Sequence, residues 1–135
     1  MLSDVQLRFY RRVFLAATAY NVVWGTLVIL FPLAPFRWAQ LPPPNYPEMW
    51  QCIGMFVLVY APGYAYLAAD PLRYAPFALV GLLGKGCGPI GWIWMYANDR
   101  IPFASGLVTL TNDVIWLPFF IPFVWATLIR PRRAR

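Results

Sequence analysis

The sequence predicts an all-α membrane protein, a bundle of four transmembrane helices forming a single domain over residues 1–135. Composition is the first observation behind this: the chain is 61% hydrophobic and only 12% charged, whereas soluble domains carry about 25% charged residues. A soluble core of this size cannot hide so much apolar surface. The second is the presence of four apolar runs, each reaching the roughly 20 residues that a helix needs to cross a bilayer.

The four apolar runs set the bounds of the predicted spans. These lie at about residues 13–33, 48–69, 74–97 and 103–129. A signal peptide is the alternative for the first run, but the run exceeds the usual apolar core of about 7–15 residues. The Pro-rich segment 34–47 is expected to form the longest loop, on the outer membrane surface. Short polar turns at 70–73 and 98–102 connect the remaining spans.

The distribution of Lys and Arg predicts the orientation. The first twelve residues, the 70–73 turn and the C-terminal tail hold eight of these residues, whereas the two opposite connections hold only Arg37 and Arg100. Positively charged segments stay in the cytoplasm during membrane insertion. Both termini are therefore expected in the cytoplasm (N-in/C-in), with the Pro-rich loop outside.

Residues 81–92 contain the most unusual combination, a lysine among glycines near the middle of the third span. Pro89 lacks an N–H, which frees the carbonyl oxygen of Lys85, four residues earlier. Ionisable residues within a span are costly and usually face a partner in the bundle interior. Asp113 lies at a depth in the fourth span that allows an intramembrane Lys85–Asp113 salt bridge. The alternative is that this pair only fastens two helices.

Glycines recur through the third span at spacings of three and four, which lets a neighbouring helix or a flat ligand approach the backbone closely. The predicted helix-packing residues are Gly81, Gly84, Gly88, Gly91 and Pro89. Ordinary helix packing is the more common result of such a pattern. The segment is not a phosphate loop, because the required Gly-x4-Gly-Lys-Ser/Thr spacing is absent.

Polar and aromatic residues at helical spacing extend the predicted site. Trp92 shares a helix face with Lys85, and Trp116 shares one with Asp113. A cavity lined by these tryptophans and polar side chains would suit an amphipathic ligand with an aromatic or polyene body. The predicted ligand-binding or buried polar residues are Lys85, Asp113, Asn112, Asn21, Gln51, Trp24, Trp92 and Trp116. The alternative for the tryptophans is simple packing.

Histidine is absent from the sequence. This excludes histidine-ligated haem, a histidine-based metal centre and any Ser–His or Cys–His nucleophile pair. No catalytic residue and no metal ligand is therefore predicted, and the sequence identifies no cofactor. The terminal arginines fit membrane orientation more simply than nucleic-acid binding, so no nucleic-acid partner is expected.

Three stretches carry a family resemblance. They are Tyr20-Asn-Val-Val-Trp-Gly25, the segment from Gly84-Lys85 to Gly88-Pro89-Ile-Gly91, and Thr111-Asn-Asp-Val-Ile-Trp116-Leu-Pro118. Together with the pattern of spans, they resemble small bacterial four-span inner-membrane proteins of the DoxX-like type. The resemblance implies a multi-pass bundle in the bacterial inner membrane and no settled activity.

Three functions stay open at this point. The first is a non-catalytic accessory subunit or lipophilic-ligand-binding bundle, with the lipid bilayer, another membrane protein or a second copy, and a lipophilic small molecule as partners. The second is an enzyme acting on a lipophilic substrate, with Asp113 as acid/base and Lys85 as electrostatic stabiliser or Schiff-base former. The third is an oligomeric proton-coupled transporter that uses Asp113. The first function is favoured, because a single central carboxylate and no histidine leave few groups for acid–base catalysis.

Overall fold

The computed structural model describes residues 2–130, which are mostly helical and contain no strand. The first four helices are α1 (Asp4–Leu30), α2 (Ala34–Trp38), α3 (Pro47–Ala69) and α4 (Ala75–Ala97). The remaining part, here called the fourth segment, runs over Phe103–Ile129 and is interrupted. It contains a 3-10 turn (Phe103–Ser105), α5 (Gly106–Asn112), a second 3-10 turn (Val114–Trp116), α6 (Leu117–Val124) and a π-helical turn (Trp125–Ile129).

Four helical segments are long and apolar enough to cross a membrane, as predicted. The second, third and fourth agree closely with the predicted bounds. The first begins well before the predicted span, because the basic lead continues the helix. Ser3 caps it: its Oγ accepts from the Gln6 N–H at 3.3 Å, and the Gln6 side chain accepts from the Ser3 N–H at 2.8 Å. This reciprocal capping satisfies two N–H groups at the helix start.

The Pro-rich segment 34–47 contains a short helix, which its composition did not predict. Pro35 lies in the first turn of α2, where a missing N–H costs nothing. Pro47 begins α3 in the same way. The rings of Phe36 and Trp50 are 5.2 Å apart and nearly perpendicular, so α2 folds back against the start of α3.

The long helices form an up-and-down bundle in which α1 packs mainly along α3, and α4 packs along the fourth segment. The α1–α3 contact is close because two glycines meet there. A Cβ on Gly25 would lie 2.8 Å from the Gly54 carbonyl oxygen, and one on Gly54 would lie 3.0 Å from the Gly25 oxygen. Small residues at a crossing allow this approach of two backbones.

An aromatic core fills the end of the bundle where the two ends of the described chain meet. Phe14 of α1 is fully buried and packs edge-to-face against Phe120 at 5.4 Å and Phe123 at 4.9 Å. Tyr64 of α3 packs against Phe120 at 5.5 Å. The first half of α1 therefore contacts the second half of the fourth segment, and a polar cavity borders this core at Tyr64.

Candidate functional site

A cavity of about 180 Å³ lies between α1, α3, α4 and the fourth segment. Four of the polar residues predicted from the sequence line it. They are Asn21, Lys85, Asn112 and Asp113. Apolar and aromatic residues of α3, together with two glycines of α4, form the other walls. The structure thus brings polar side chains from three long helical segments to one place.

The fourth segment breaks at Asp113, and the break supplies a backbone acceptor to this cavity. Asp113 has φ −123° and ψ −60°, outside the values of an α-helix. The Trp116 N–H donates to the Asp113 carbonyl at 3.1 Å, whereas in a continuous α-helix it would donate to Asn112. The Asn112 carbonyl oxygen is left without that bond and accepts from Lys85 Nζ at 2.7 Å.

Lys85 is 5% exposed, and its ammonium is held by aromatic rings as well as by this carbonyl. Nζ lies 5.5 Å from the centroid of the Trp116 ring and 5.8 Å from that of Tyr64. Both distances are within the range of cation–π attraction. The predicted Lys85–Asp113 salt bridge is not formed, since residues 2–130 contain no salt bridge. The carbonyl freed by the helix break takes the ammonium instead.

The Asp113 carboxylate faces the backbone of α4 at Gly88. Its Oδ1 accepts from the Asn112 side-chain Nδ2 at 2.9 Å. Its Oδ2 lies so close to Gly88 that a Cβ at that position would overlap the oxygen. Glycine at position 88 is therefore required for the carboxylate to approach α4. Asp113 is thus buried against α4 without a salt bridge to the ammonium.

The other residues predicted for helix packing have different surroundings. A Cβ on Gly81 would lie 2.9 Å from atoms of both Tyr64 and Phe120, so this position is in a tight contact. A Cβ on Gly84 would make an ordinary contact of 3.4 Å with the Tyr60 hydroxyl. Nothing in the described chain lies within 4 Å of a Cβ on Gly91. Pro89 lines a second groove, at the other end of α4.

Four predicted site residues are outside the cavity lining formed by the described residues. One of them, Trp116, still contacts the Lys85 ammonium through its ring. Gln51 donates from Nε2 to the Ile29 carbonyl at 2.7 Å, which ties α3 to the end of α1. Trp24 is half-buried on α1. Trp92 donates to Ser105 Oγ at 3.0 Å and lines the second groove, an apolar space of about 430 Å³ between α4 and the first half of the fourth segment.

Two tyrosines of α3, which the sequence analysis did not select, form a wall of the cavity. Tyr60 and Tyr64 line it, and Tyr64 also contacts the Lys85 ammonium. Ile53 and Val57 line the same wall, so the four residues follow helical spacing along one face. A search for polar groups that share one helix face of α3 could have found the two tyrosines, because both carry a hydroxyl group on that face.

Two buried amide oxygens at the cavity have no hydrogen-bond partner within residues 2–130. They are Asn21 Oδ1 and Asn112 Oδ1. The nitrogen of each amide is engaged: Asn21 Nδ2 donates to the Val57 carbonyl at 3.0 Å, and Asn112 Nδ2 donates to Asp113. Buried polar atoms in proteins nearly always have a partner. The cavity therefore has two unmatched acceptors beside an ammonium that gives one of its three N–H groups to a backbone carbonyl.

Comparisons with known proteins do not indicate a function, so the functional argument rests on the geometry of the site. No protein-family model matches the chain, and no curated protein or solved structure shows significant similarity to it. The resemblance to DoxX-like proteins therefore stays a prediction. Within the described chain, no group of three or more Cys, Asp and Glu side chains is placed to hold a metal ion.

Proposed function

We propose that the protein is an integral membrane protein whose helices form a non-catalytic binding bundle for the polar head of a lipophilic ligand. The observation that carries this proposal is the cavity with Asn21, Lys85 and Asp113 buried at its edge. Burying such groups costs free energy, and apolar residues often pack a bundle equally well. Convergence of all three on one cavity therefore supports binding over simple fastening of helices.

The outer surface of the bundle supports the membrane environment. Large apolar side chains are exposed along every long segment, with Val23 66% exposed, Leu83 59% and Ile121 52%. Soluble monomers rarely expose continuous apolar surface on this scale. The long segments contain 23 to 27 residues, or about 35–40 Å at 1.5 Å per residue, enough for a hydrocarbon core of about 30 Å.

The proposed orientation follows from the arginines and the shape of the bundle. Both ends of the described chain lie at one end of the bundle, where Tyr10 contacts Phe123 at 4.8 Å. Within the described residues, Arg8, Arg11, Arg12 and Arg130 lie toward that end, so we place it in the cytoplasm and the Pro-rich segment 34–47 outside. The resemblance to DoxX-like proteins further suggests a bacterial inner membrane and a role as an accessory subunit beside another membrane protein.

The size of the cavity limits what it holds. About 180 Å³ is below the roughly 300–1,000 Å³ of pockets that enclose whole drug-sized ligands. A cavity of about 150 Å³ in another protein holds one benzene molecule. We therefore assign the cavity to a head group or a single ring, with the rest of the ligand in the surrounding lipid. No observation favours the enzyme or the transporter, and both stay predictions.

A thermal-shift experiment tests the proposal with two matched variants. Gly84 lines the cavity, whereas a Cβ on Gly86 meets nothing within 4 Å in the described chain. We expect Gly84→Leu to fill the cavity and Gly86→Leu to leave it open. A lipid extract of the native membrane, added to delipidated protein in detergent, should raise the melting temperature of the wild type and of Gly86→Leu, because ligand binding stabilises the folded state.

The same extract should not raise the melting temperature of Gly84→Leu. An equal rise in all three proteins would show that the lipid acts on the outer surface and would contradict the proposal. Absence of any rise in the wild type would also contradict it. Unfolding of each variant without extract serves as the baseline.

A further inference from the structure

The hydrogen-bond inventory of the cavity indicates which chemical class of head group fits it. One N–H of the Lys85 ammonium is given to the Asn112 carbonyl, and the side chain lies between the rings of Tyr64 and Trp116. An ammonium has three N–H groups, so two remain besides this one. The buried lining atoms without a partner within residues 2–130 are acceptors, the amide oxygens of Asn21 and Asn112. A head group that donates hydrogen bonds would match them.

The orientation of the two amides is fixed by their neighbours. Asn21 Nδ2 faces the Val57 carbonyl and Asn112 Nδ2 faces the Asp113 carboxylate, both of which are acceptors. Rotating either amide by 180° would place an oxygen against an oxygen. The unmatched atoms are therefore oxygens. Asn21 is 3% exposed, so water at the protein surface does not reach its oxygen freely.

The charge of the lining favours a neutral head. One ammonium and one carboxylate line the same small space, so neither sign is in excess. An anionic head would meet the Asp113 carboxylate, and a cationic head would meet the Lys85 ammonium. Like charges in a space of low dielectric constant repel strongly. A hydroxyl group donates a hydrogen bond without carrying a charge.

The cavity opens sideways, between α3 and α4. Phe56 of α3 lines it and is 69% exposed, and Ile53 of the same helix is 47% exposed. On the α4 side, Gly84 lines the cavity and is exposed, with no side chain to close the gap. A ligand whose tail lies in the membrane could therefore place its head in the cavity without passing through water.

From these observations we infer that the occupant is an amphipathic molecule with a neutral hydroxyl head, as in lipophilic phenols and alcohols. The hydroxyl donates its single hydrogen bond to the buried amide oxygen of Asn21, and the apolar tail leaves through the opening between Phe56 and Gly84. This inference rests on the proposed function and specifies the ligand class of the same site.

Three synthetic probes test this inference by isothermal titration in detergent, with protein-free micelles subtracted. They are 4-octylphenol, its methyl ether 4-octylanisole, and 4-octylbenzoate. The ether keeps the shape but loses the donor, and the benzoate carries a negative charge. We expect the phenol to bind the wild type about tenfold more tightly than the ether, the effect of one hydrogen bond to a buried acceptor. The benzoate should bind more weakly than the phenol.

The variants distinguish binding in the cavity from partitioning of the probe into the detergent micelle. Gly86→Leu should keep the preference for the phenol, Gly84→Leu should lose binding of all three probes, and Asn21→Leu should bind phenol and ether almost equally. The probe series on the unmodified protein remains decisive if Asn21→Leu fails to fold.

Two results would overturn the inference while leaving the proposed function intact. Equal binding of phenol and ether by the wild type, lost in Gly84→Leu, would remove the hydroxyl requirement. Tighter binding of the benzoate than of the phenol would show that Lys85 selects an anion. If the wild type bound none of the probes, the inference would fall, and the thermal-shift experiment with the lipid extract would decide the proposed function separately.

Discussion

At the residue scale, the position of Asp113 depends on a glycine in another helix. The carboxylate lies against the backbone of α4 because Gly88 has no side chain, and it forms no salt bridge with Lys85. The Lys85 ammonium instead donates a hydrogen bond to the Asn112 carbonyl oxygen. The two groups that the sequence predicts as an ion pair are thus held separately. Lys85 bonds to a backbone carbonyl of the fourth segment, and Asp113 lies against the backbone of α4.

Gly88→Ala tests the carboxylate contact. The added methyl would overlap Asp113 Oδ2, so we expect a loss of about 1–3 kcal/mol in the free energy of unfolding, the usual cost of overpacking. Gly91→Ala is the control, because a Cβ there meets nothing within 4 Å in the described chain. Unfolding in mild detergent measures both. Equal stability of the two variants would contradict the contact.

Lys85→Met tests the bond to the backbone. Removal of the ammonium leaves the Asn112 carbonyl buried without its donor, which costs about 1–3 kcal/mol. Because the acceptor is a backbone oxygen, the further change Asp113→Leu should not restore stability. A direct ion pair would behave differently, since breaking one costs about 3–5 kcal/mol and replacing both partners is often neutral. A double variant as stable as the wild type would contradict the observed arrangement.

At the element scale, the break in the fourth segment creates the site. Asn112 and Asp113 have short polar side chains that compete with helical hydrogen bonds. Pro118 follows five residues after Asp113, and its ring disfavours a straight α-helix at the carbonyl four residues before it. The 3-10 turn Val114–Trp116 lies between these two features. The altered hydrogen bonding at this turn is what leaves the Asn112 carbonyl open to Lys85.

The crossing of α1 and α3 gives a second prediction at this scale. A Cβ on Gly25 would lie within 2.9 Å of backbone atoms of both Gly54 and Leu58. Backbone atoms in two packed helices cannot move aside as a flexible side chain does. We expect Gly25→Ala to destabilise the protein by about 1–3 kcal/mol, and Gly86→Ala to have no such effect. Retention of wild-type melting temperature by Gly25→Ala would show that this crossing is looser.

At the scale of the whole molecule, hydropathy predicts the arrangement well and side-chain chemistry predicts the site only partly. The four long segments follow from apolar runs, because a membrane span needs little beyond length and apolar composition. The convergence of Asn21, Lys85 and Asp113 follows from the cost of burying polar groups apart. The partner of Lys85 does not follow, because it depends on a backbone carbonyl whose availability is set by a break in another segment.

The packing glycines show the same limit. A repeat of glycines within one helix indicates a contact, and Gly81 and Gly88 of α4 do lie in close contacts. The tight α1–α3 crossing depends on Gly25 and Gly54, one from each helix, and no pattern within either helix indicates that they meet. The short helix α2 is not predicted for a different reason. A proline-rich composition is typical of an extended loop, and it does not show that Pro35 lies in the first turn of a helix.

The orientation of the whole bundle is a further prediction. In a Cys52→Ala/Cys87→Ala background, Asn45→Cys in the Pro-rich segment should react with a membrane-impermeant maleimide added to intact spheroplasts. Leu72→Cys, in the turn at the opposite end of the bundle, should react only after lysis. Labelling of both positions, or of Leu72→Cys alone, before lysis would contradict the N-in/C-in orientation.

Native mass spectrometry tests the central claim, a cavity that binds the head of a lipophilic ligand, most directly. Wild type, Gly84→Leu and Gly86→Leu would be purified from the same membranes in mild detergent and their masses compared. We predict that a small-molecule adduct accompanies the wild type and Gly86→Leu and is missing from Gly84→Leu. A wild type without any adduct, or one adduct retained equally by all three proteins, would contradict a ligand in the cavity.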